Sequence, residues 1–312
     1  MSADTATPAT GPATAPAPAG SGGDHRPRRG VVHRVMVGGG RPLRLAVLTL
    51  GAVAFLFPFY YMVVGSLGKV TSGDLDGALP RPNNTTTGNY ESINGAISLG
   101  RSLVNSGVFT MGVLLCTMVF GVLAGYALAR LQFRGRGTLF AVLLLIQTIP
   151  FQLLMLPLYV LVVRDYGLGD SYLGMILPFA INSTAVFLFR QFFLQIPATF
   201  FEAARIDGAS EPRILWQIAI PMVRPALLSG ALLTFIGPWN EFLWPFLVTK
   251  NADMQPLAVS LAGFMSNLQG TVANPTGALM AGACVLAVPA VVLFLLFQRH
   301  FTQTDIDSGT KG

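Results

Sequence analysis

Glu202, Arg205, Asp207, Glu211 and Arg213 lie within a twelve-residue stretch of a chain that is only 11% charged. Carboxylates and guanidinium groups at this spacing can cap helices, pair with each other and offer an ionic face to another macromolecule. A second acid, Glu241, sits in the run Trp239-Asn240-Glu241-Phe242, the only carboxylate inside a long apolar segment. A charge at a bilayer centre costs about 2.5–3.5 kcal/mol. Glu241 is therefore either a group on a polar pathway or one satisfied by a neighbouring helix. Gln147, Gln152, Asn182 and Ser183 present the same choice between lining a pathway and bonding helices together. Covalent chemistry lacks its parts. His25, His33 and His300 lie near the ends of the chain, and Cys116 and Cys284 have no metal-ligand spacing. Gly38-Gly-Gly-Arg-Pro lacks the lysine of a phosphate-cradling loop. The expectation is no catalytic residue, no metal site and no cofactor in this chain.

The elements that position the charged stretch follow from local rules. Thr199 and Glu202 have capping-box spacing, which predicts a helix starting near Phe200. Gly208 suits a left-handed position just past a helix end, and Ser210 can cap a second helix with Glu211 and Pro212 in its first turn. The stretch reads as helix, tight turn, helix: a charged knob suited to a groove on a partner.

The rest of the chain requires lipid. Of its 312 residues 52% are hydrophobic, and the mean hydropathy is +0.59. Spans need about 20 apolar residues, and six fit: about 45–67, 103–129, 138–162, 171–194, 225–249 and 277–298. Pro150, Pro157 and Pro178 predict kinks, and Arg190 is close enough to a span end to snorkel. Gly121-x-x-x-Gly125 and Ala278-x-x-x-Gly282 predict close helix packing, within the chain rather than at a dimer face. Residues 1–40, rich in Ala, Thr, Pro and Gly, read as a disordered cytoplasmic tail without the apolar core of a signal peptide. Fifteen of the 20 basic residues fall in the tail, the 2–3 and 4–5 loops and the carboxyl end. Lys69, Arg81, Arg101, Arg164 and Lys250 fall on the other side. The positive-inside rule then places both termini and the 4–5 loop in the cytoplasm. Segment 251–276, with Met254-QPLAVSLAGF, is either an interfacial helix or an external loop.

Glu202-Ala203-Ala204, three residues, Gly208, nine residues, Ile218, one residue and Ile220-Pro221 match the spacing EAA-x3-G-x9-I-x-LP, with Ile220 for Leu. The pattern resembles the loop of permease subunits of bacterial ATP-binding-cassette importers. Pro58-FYYMVVGSLGK, Gln195-IPATFFEAARIDGAS, Pro238-WNEFLWPFLV and Gln298-RHF…SGTKG resemble the maltose-type sugar permeases, in particular the smaller, six-helix subunit. The likeness runs from about residue 41 to 312.

The resemblance implies an all-α, polytopic protein with six transmembrane helices and the type I ABC importer permease fold, in the permease domain 41–312. It implies a coupling loop at about 197–224 that docks on a separate ATPase through Glu202, Ala203, Ala204, Arg205, Asp207 and Gly208. ATP and magnesium are then bound by two copies of that ATPase. A second permease and an extracytoplasmic sugar-binding protein complete the assembly in the bacterial cell membrane. Glu241, Asn240, Trp239, Gln152 and Asn182, with Gln147, Ser183 and Tyr159 beside them, are the candidates for the sugar pathway. Ser308–Gly312 is either a segment reaching the ATPase or a frayed end. An importer for glycerol phosphate or a peptide is the alternative within the class. An ion-coupled secondary transporter would need internal repeats and more intramembrane carboxylates, and a membrane enzyme would need convergent catalytic groups.

Overall fold

The computed structural model describes residues 41–70 and 82–303; the expected tail 1–40 and the closing segment 308–312 lie outside the described residues. The chain divides between Phe55 and Leu56 into two compact units. The described part of the first is the opening half of α1 (Arg41–Ser66), where Leu45, Leu50 and Phe55 are exposed apolar side chains, Phe55 at 82%. Such a surface suits hydrocarbon.

The second unit continues with α2 (Gly88–Ile97), α3 (Leu99–Arg130), α4 (Arg136–Gln147), α5 (Phe151–Asp165), α6 (Tyr172–Phe179) and α7 (Ser183–Gln195). Then come α8 (Ala198–Ile206), α9 (Glu211–Met222), α10 (Arg224–Asn240), α11 (Leu243–Val248), α12 (Leu257–Gly263) and α13 (Pro275–Gln303). Among the described residues, α1, α3 and α13 are each long and apolar enough to cross a membrane. The bent pairs α4–α5 (95°), α6–α7 (49°) and α9–α10 (83°) bring the possible spans to six.

Several expectations are corrected. Pro150 does not kink a continuous span; it stands in the break between α4 and α5, where its missing N–H is harmless. The span expected over 171–194 is likewise interrupted after Phe179, and the Asn182 carboxamide accepts the Ala185 N–H to start α7. The span expected to reach 249 stops at Asn240, with α11 as a separate turn. α2 was not anticipated. In segment 251–276 a helix does form, and the Ser106 hydroxyl accepts the N–H of its first residue, Leu257.

Close approach holds α3 to α7. A Cβ at Gly125 would lie 2.8 Å from the Cβ of Phe189 and 3.0 Å from the backbone nitrogen of Arg190. Phe189 is fully buried beside Gly121, Gly125 and Gly230. Gly282 of α13 meets Leu261 and Ile93 in the same way, so both small-residue pairs pack within the chain. Arg190 donates to the Leu128 carbonyl at 3.2 Å, near the end of α3, and lies over the Phe140 ring at 4.0 Å.

The two ends of the bundle are pinned differently. At one, Arg101 pairs with Asp253 at 3.2 Å, and the Asp170 carboxylate accepts the N–H groups of Lys250 and Asn251. At the other, the ends of α3 and α7 meet α8 and α9 in one apolar cluster built on Tyr126, Phe193, Phe201, Ile214 and Leu215. Helices running alternately between these ends keep the 3–4 and 5–6 connections together, and the 2–3 and 4–5 connections opposite.

Candidate functional site

α8 begins at Ala198 with Pro197 as its cap, not at Phe200. Thr199 therefore lies inside the helix, and the capping box expected with Glu202 does not form. The far end follows expectation. Gly208 has φ +78°, its N–H donates to the Arg205 carbonyl at 3.0 Å, and the Ala209 N–H donates to the Ala204 carbonyl at 2.9 Å. These two bonds make a Schellman ending, which a residue without a Cβ adopts with least strain. Ser210 stands at the start of α9 as expected, without a side-chain capping bond.

Glu202, Ala203, Arg205, Asp207 and Gly208 are all exposed. Ala204 is not: at 7% exposure it is turned into the core against α9, which corrects its place among the contact candidates. Ile206, which sequence reasoning passed over, is 86% exposed between the charged Arg205 and Asp207.

The knob is fastened from the side of the bundle. Arg205 Nε donates to Glu211 Oε1 at 2.8 Å, linking α8 to α9. The Tyr126 hydroxyl donates to Glu211 Oε2 at 2.7 Å. Burial alone would raise the Glu211 carboxyl. The hydrogen bonds from Arg205 and then Tyr126, with the charge of Arg205, outweigh it and hold the group below its ordinary range. For Arg205 the bond to Glu211 comes first and raises its pKa. Arg130, one turn beyond Tyr126, donates to the carbonyls of Phe193 and Ile196 and covers the Phe201 ring at 4.2 Å. Neither Tyr126 nor Arg130 was singled out from sequence. Their i, i+4 spacing, which puts both on one face of a helix end, was the available signal.

The pathway candidates separate. Trp239 is buried, stacks on Phe235 and donates its indole N–H to the Leu286 carbonyl at 2.9 Å, so it joins α10 to α13. Asn240 is exposed and donates to the Ile236 carbonyl of its own helix. Glu241 lies at the break after α10, not within a helix, and its Oε1 accepts the Trp244 N–H at 3.2 Å in the first turn of α11. Asn182 is half-buried in its capping bond. The Thr184 hydroxyl donates to Gln147 Oε1 at 3.4 Å, bringing the end of α4 to the start of α7 and hence two helix breaks together. Gln152, in the first turn of α5, is exposed. Among the described residues no group of His, Cys, Asp or Glu has metal-site geometry.

Residues 118–304 match the family of the binding-protein-dependent transport system inner membrane component. The chain is 33% identical over 265 residues to the arabinooligosaccharides transport system permease protein AraQ of Bacillus subtilis, spanning 84% of this chain and 92% of that one. It is 32% identical over 267 residues to the sn-glycerol-3-phosphate transport system permease protein UgpE of Agrobacterium fabrum, spanning 82% and 93%. Its fold superposes with a TM-score of 0.75, at 25% identity, on a chain of a bacterial ABC transporter involved in the import of the acidic polysaccharide alginate; the match covers 88% of this chain and 100% of that one.

Proposed function

The chain belongs to the family of binding-protein-dependent transport system inner membrane components, and on that premise we propose that it forms half of the translocation pathway of an ATP-driven carbohydrate importer. It is a multi-pass permease subunit of a bacterial cell membrane and does no covalent chemistry on its cargo. One observation carries the coupling role: the exposed, Schellman-ended α8 with Glu202, Ala203, Arg205, Ile206 and Asp207 on its outer side. This helix docks in a cleft of a cytoplasmic ATPase, with Gly208 setting the turn. Two ATPase copies bind ATP and magnesium, and this chain needs no cofactor. A second permease completes the pathway, and an extracytoplasmic binding protein delivers the sugar. Both termini and the α8–α9 loop are cytoplasmic.

Closure of the ATPase dimer draws the docked helices together and rocks the transmembrane halves from inward-open to outward-open. Irregular backbone at membrane depth is tolerated where it is buried in protein or lines a water-filled cavity. The adjacent breaks near Gln147 and Asn182, with exposed Gln152, support a pathway there. Likeness to an arabinooligosaccharide permease supports a di- or oligosaccharide cargo. Likeness to a glycerol phosphate permease supports sn-glycerol 3-phosphate as the second reading.

The test uses Glu202→Lys and Gly208→Pro in the assembled transporter. Proline fixes φ near −65°, against +78° at Gly208. Both variants are expected to insert in the membrane yet lose ATPase co-purification and uptake of arabinooligosaccharide and glycerol phosphate probes. Wild-type uptake in both variants would overturn the docking role.

A further inference from the structure

We infer that Tyr126 and Arg130 are positioning residues that make the coupling helix α8 move as one body with α3 and α7. The inference rests on the docking role proposed for α8.

The covalent link from α7 to α8 is slight. α7 ends at Gln195, and Ile196 and Pro197 are extended before α8 begins. Rotation about Ile196 alone would let α8 pivot without moving the spans, so a push from a partner would be dissipated at this joint. Arg130 straddles it. Its guanidinium takes the carbonyls of Phe193, in the last turn of α7, and of Ile196, in the joint itself. The same group lies over the Phe201 ring of α8 at 4.2 Å. One side chain of α3 thereby touches the helix before the joint, the joint, and the helix after it.

Tyr126 spans the same joint. Its ring meets Phe193 edge-on at 5.5 Å and Phe201 at 6.3 Å, so it too contacts both helices flanking the joint. Its hydroxyl reaches Glu211 of α9, and the other oxygen of that carboxylate holds Arg205 in the last turn of α8. α8 is thus held at Phe201 near its middle and at Arg205 near its end, on contacts that lead back to one face of α3. Gly125, immediately before Tyr126, lets α3 lie directly on α7. Displacement of α8 is carried to α3 and α7 together, and α7 leads straight to the break beside Asn182 and Gln147.

The chemistry separates transmission from folding. Tyr126→Phe keeps the buried ring and removes only the hydroxyl. Arg130→Lys keeps the charge and loses the planar fork. In the complete transporter with its ATPase, Cys116→Ala and Cys284→Ala leave Gln152→Cys as the reporter thiol. N-ethylmaleimide labelling is measured with and without ATP plus vanadate. The parent is expected to change its labelling rate by about fivefold or more, and Tyr126→Phe and Arg130→Lys by less than about twofold, with the ATPase still co-purifying. Responses equal to the parent's in both variants would overturn the inference. Loss of the ATPase from both would overturn it as well, since the residues would then merely shape the docking surface. A parent that does not respond at all would instead count against the transport reading, and the inference would fall with it.

Discussion

Glu211 joins two unlike partners, a guanidinium on its own side of the knob and a phenol from the bundle, with its side chain still 37% exposed. Exposed pairs of this kind contribute about 0.2–1 kcal/mol. Because its carboxyl is held below its ordinary range by Arg205 and Tyr126 despite burial, the sign is fixed. The stabilisation is complete above the unfolded carboxylate's range and disappears as pH falls through the folded value, below 4.5. Thermal unfolding of detergent-solubilised protein between pH 7 and 3 should therefore show an acid-dependent loss that Glu211→Gln lacks; coincident curves would remove Glu211 from the linkage. The turn that ends α8 was legible in sequence because a left-handed glycine acts over a few residues. Tyr126 and Arg130 were not, because their partners lie 85 and 63 to 66 residues away. Thr199 misled for a local reason: Pro197 takes the cap position two residues earlier, so a correct motif spacing fell inside the helix.

Helices divide into those whose boundaries their own residues dictate and those set by neighbours. α1, α3 and α13 are long apolar runs, and hydropathy found them. Kinks are expected at Pro150, Pro157 and Pro178, since proline signals an interruption but not how far the chain turns. The 95° and 49° bends depend on packing across the bundle. Close α3–α7 packing makes a quantitative prediction. Alanine at Gly125 would bring a Cβ to 3.0 Å from the backbone nitrogen of Arg190, which no rotamer change relieves. Gly107→Ala, on the same helix, meets nothing within 4 Å. Overpacking a tight interface costs about 1–3 kcal/mol. Gly125→Ala should lower the thermal midpoint while Gly107→Ala holds or raises it, and equal midpoints would show that α3 and α7 separate freely.

For the molecule as a whole, the charge distribution and the fold make independent statements about sidedness. The fold puts the ends of α3 and α7 with the α8–α9 knob, and puts Asp170 with Lys250, Asn251 and the Arg101–Asp253 pair at the far end. It says which loops share a side but not which side faces the cytoplasm. The basic residues supply the missing sense, because Arg130, Arg134, Arg136, Arg205, Arg213 and Arg224 all fall with the knob. If both statements hold, a cysteine replacing exposed Ser210 reacts with a membrane-impermeant maleimide in inverted vesicles and is silent in intact spheroplasts. A cysteine replacing exposed Asn251 shows the reverse. Reaction of both from one side would contradict the alternation of helices. A clean exchange of the two sides would leave the fold intact and refute the cytoplasmic placement of α8, and with it the docking of a cytoplasmic ATPase.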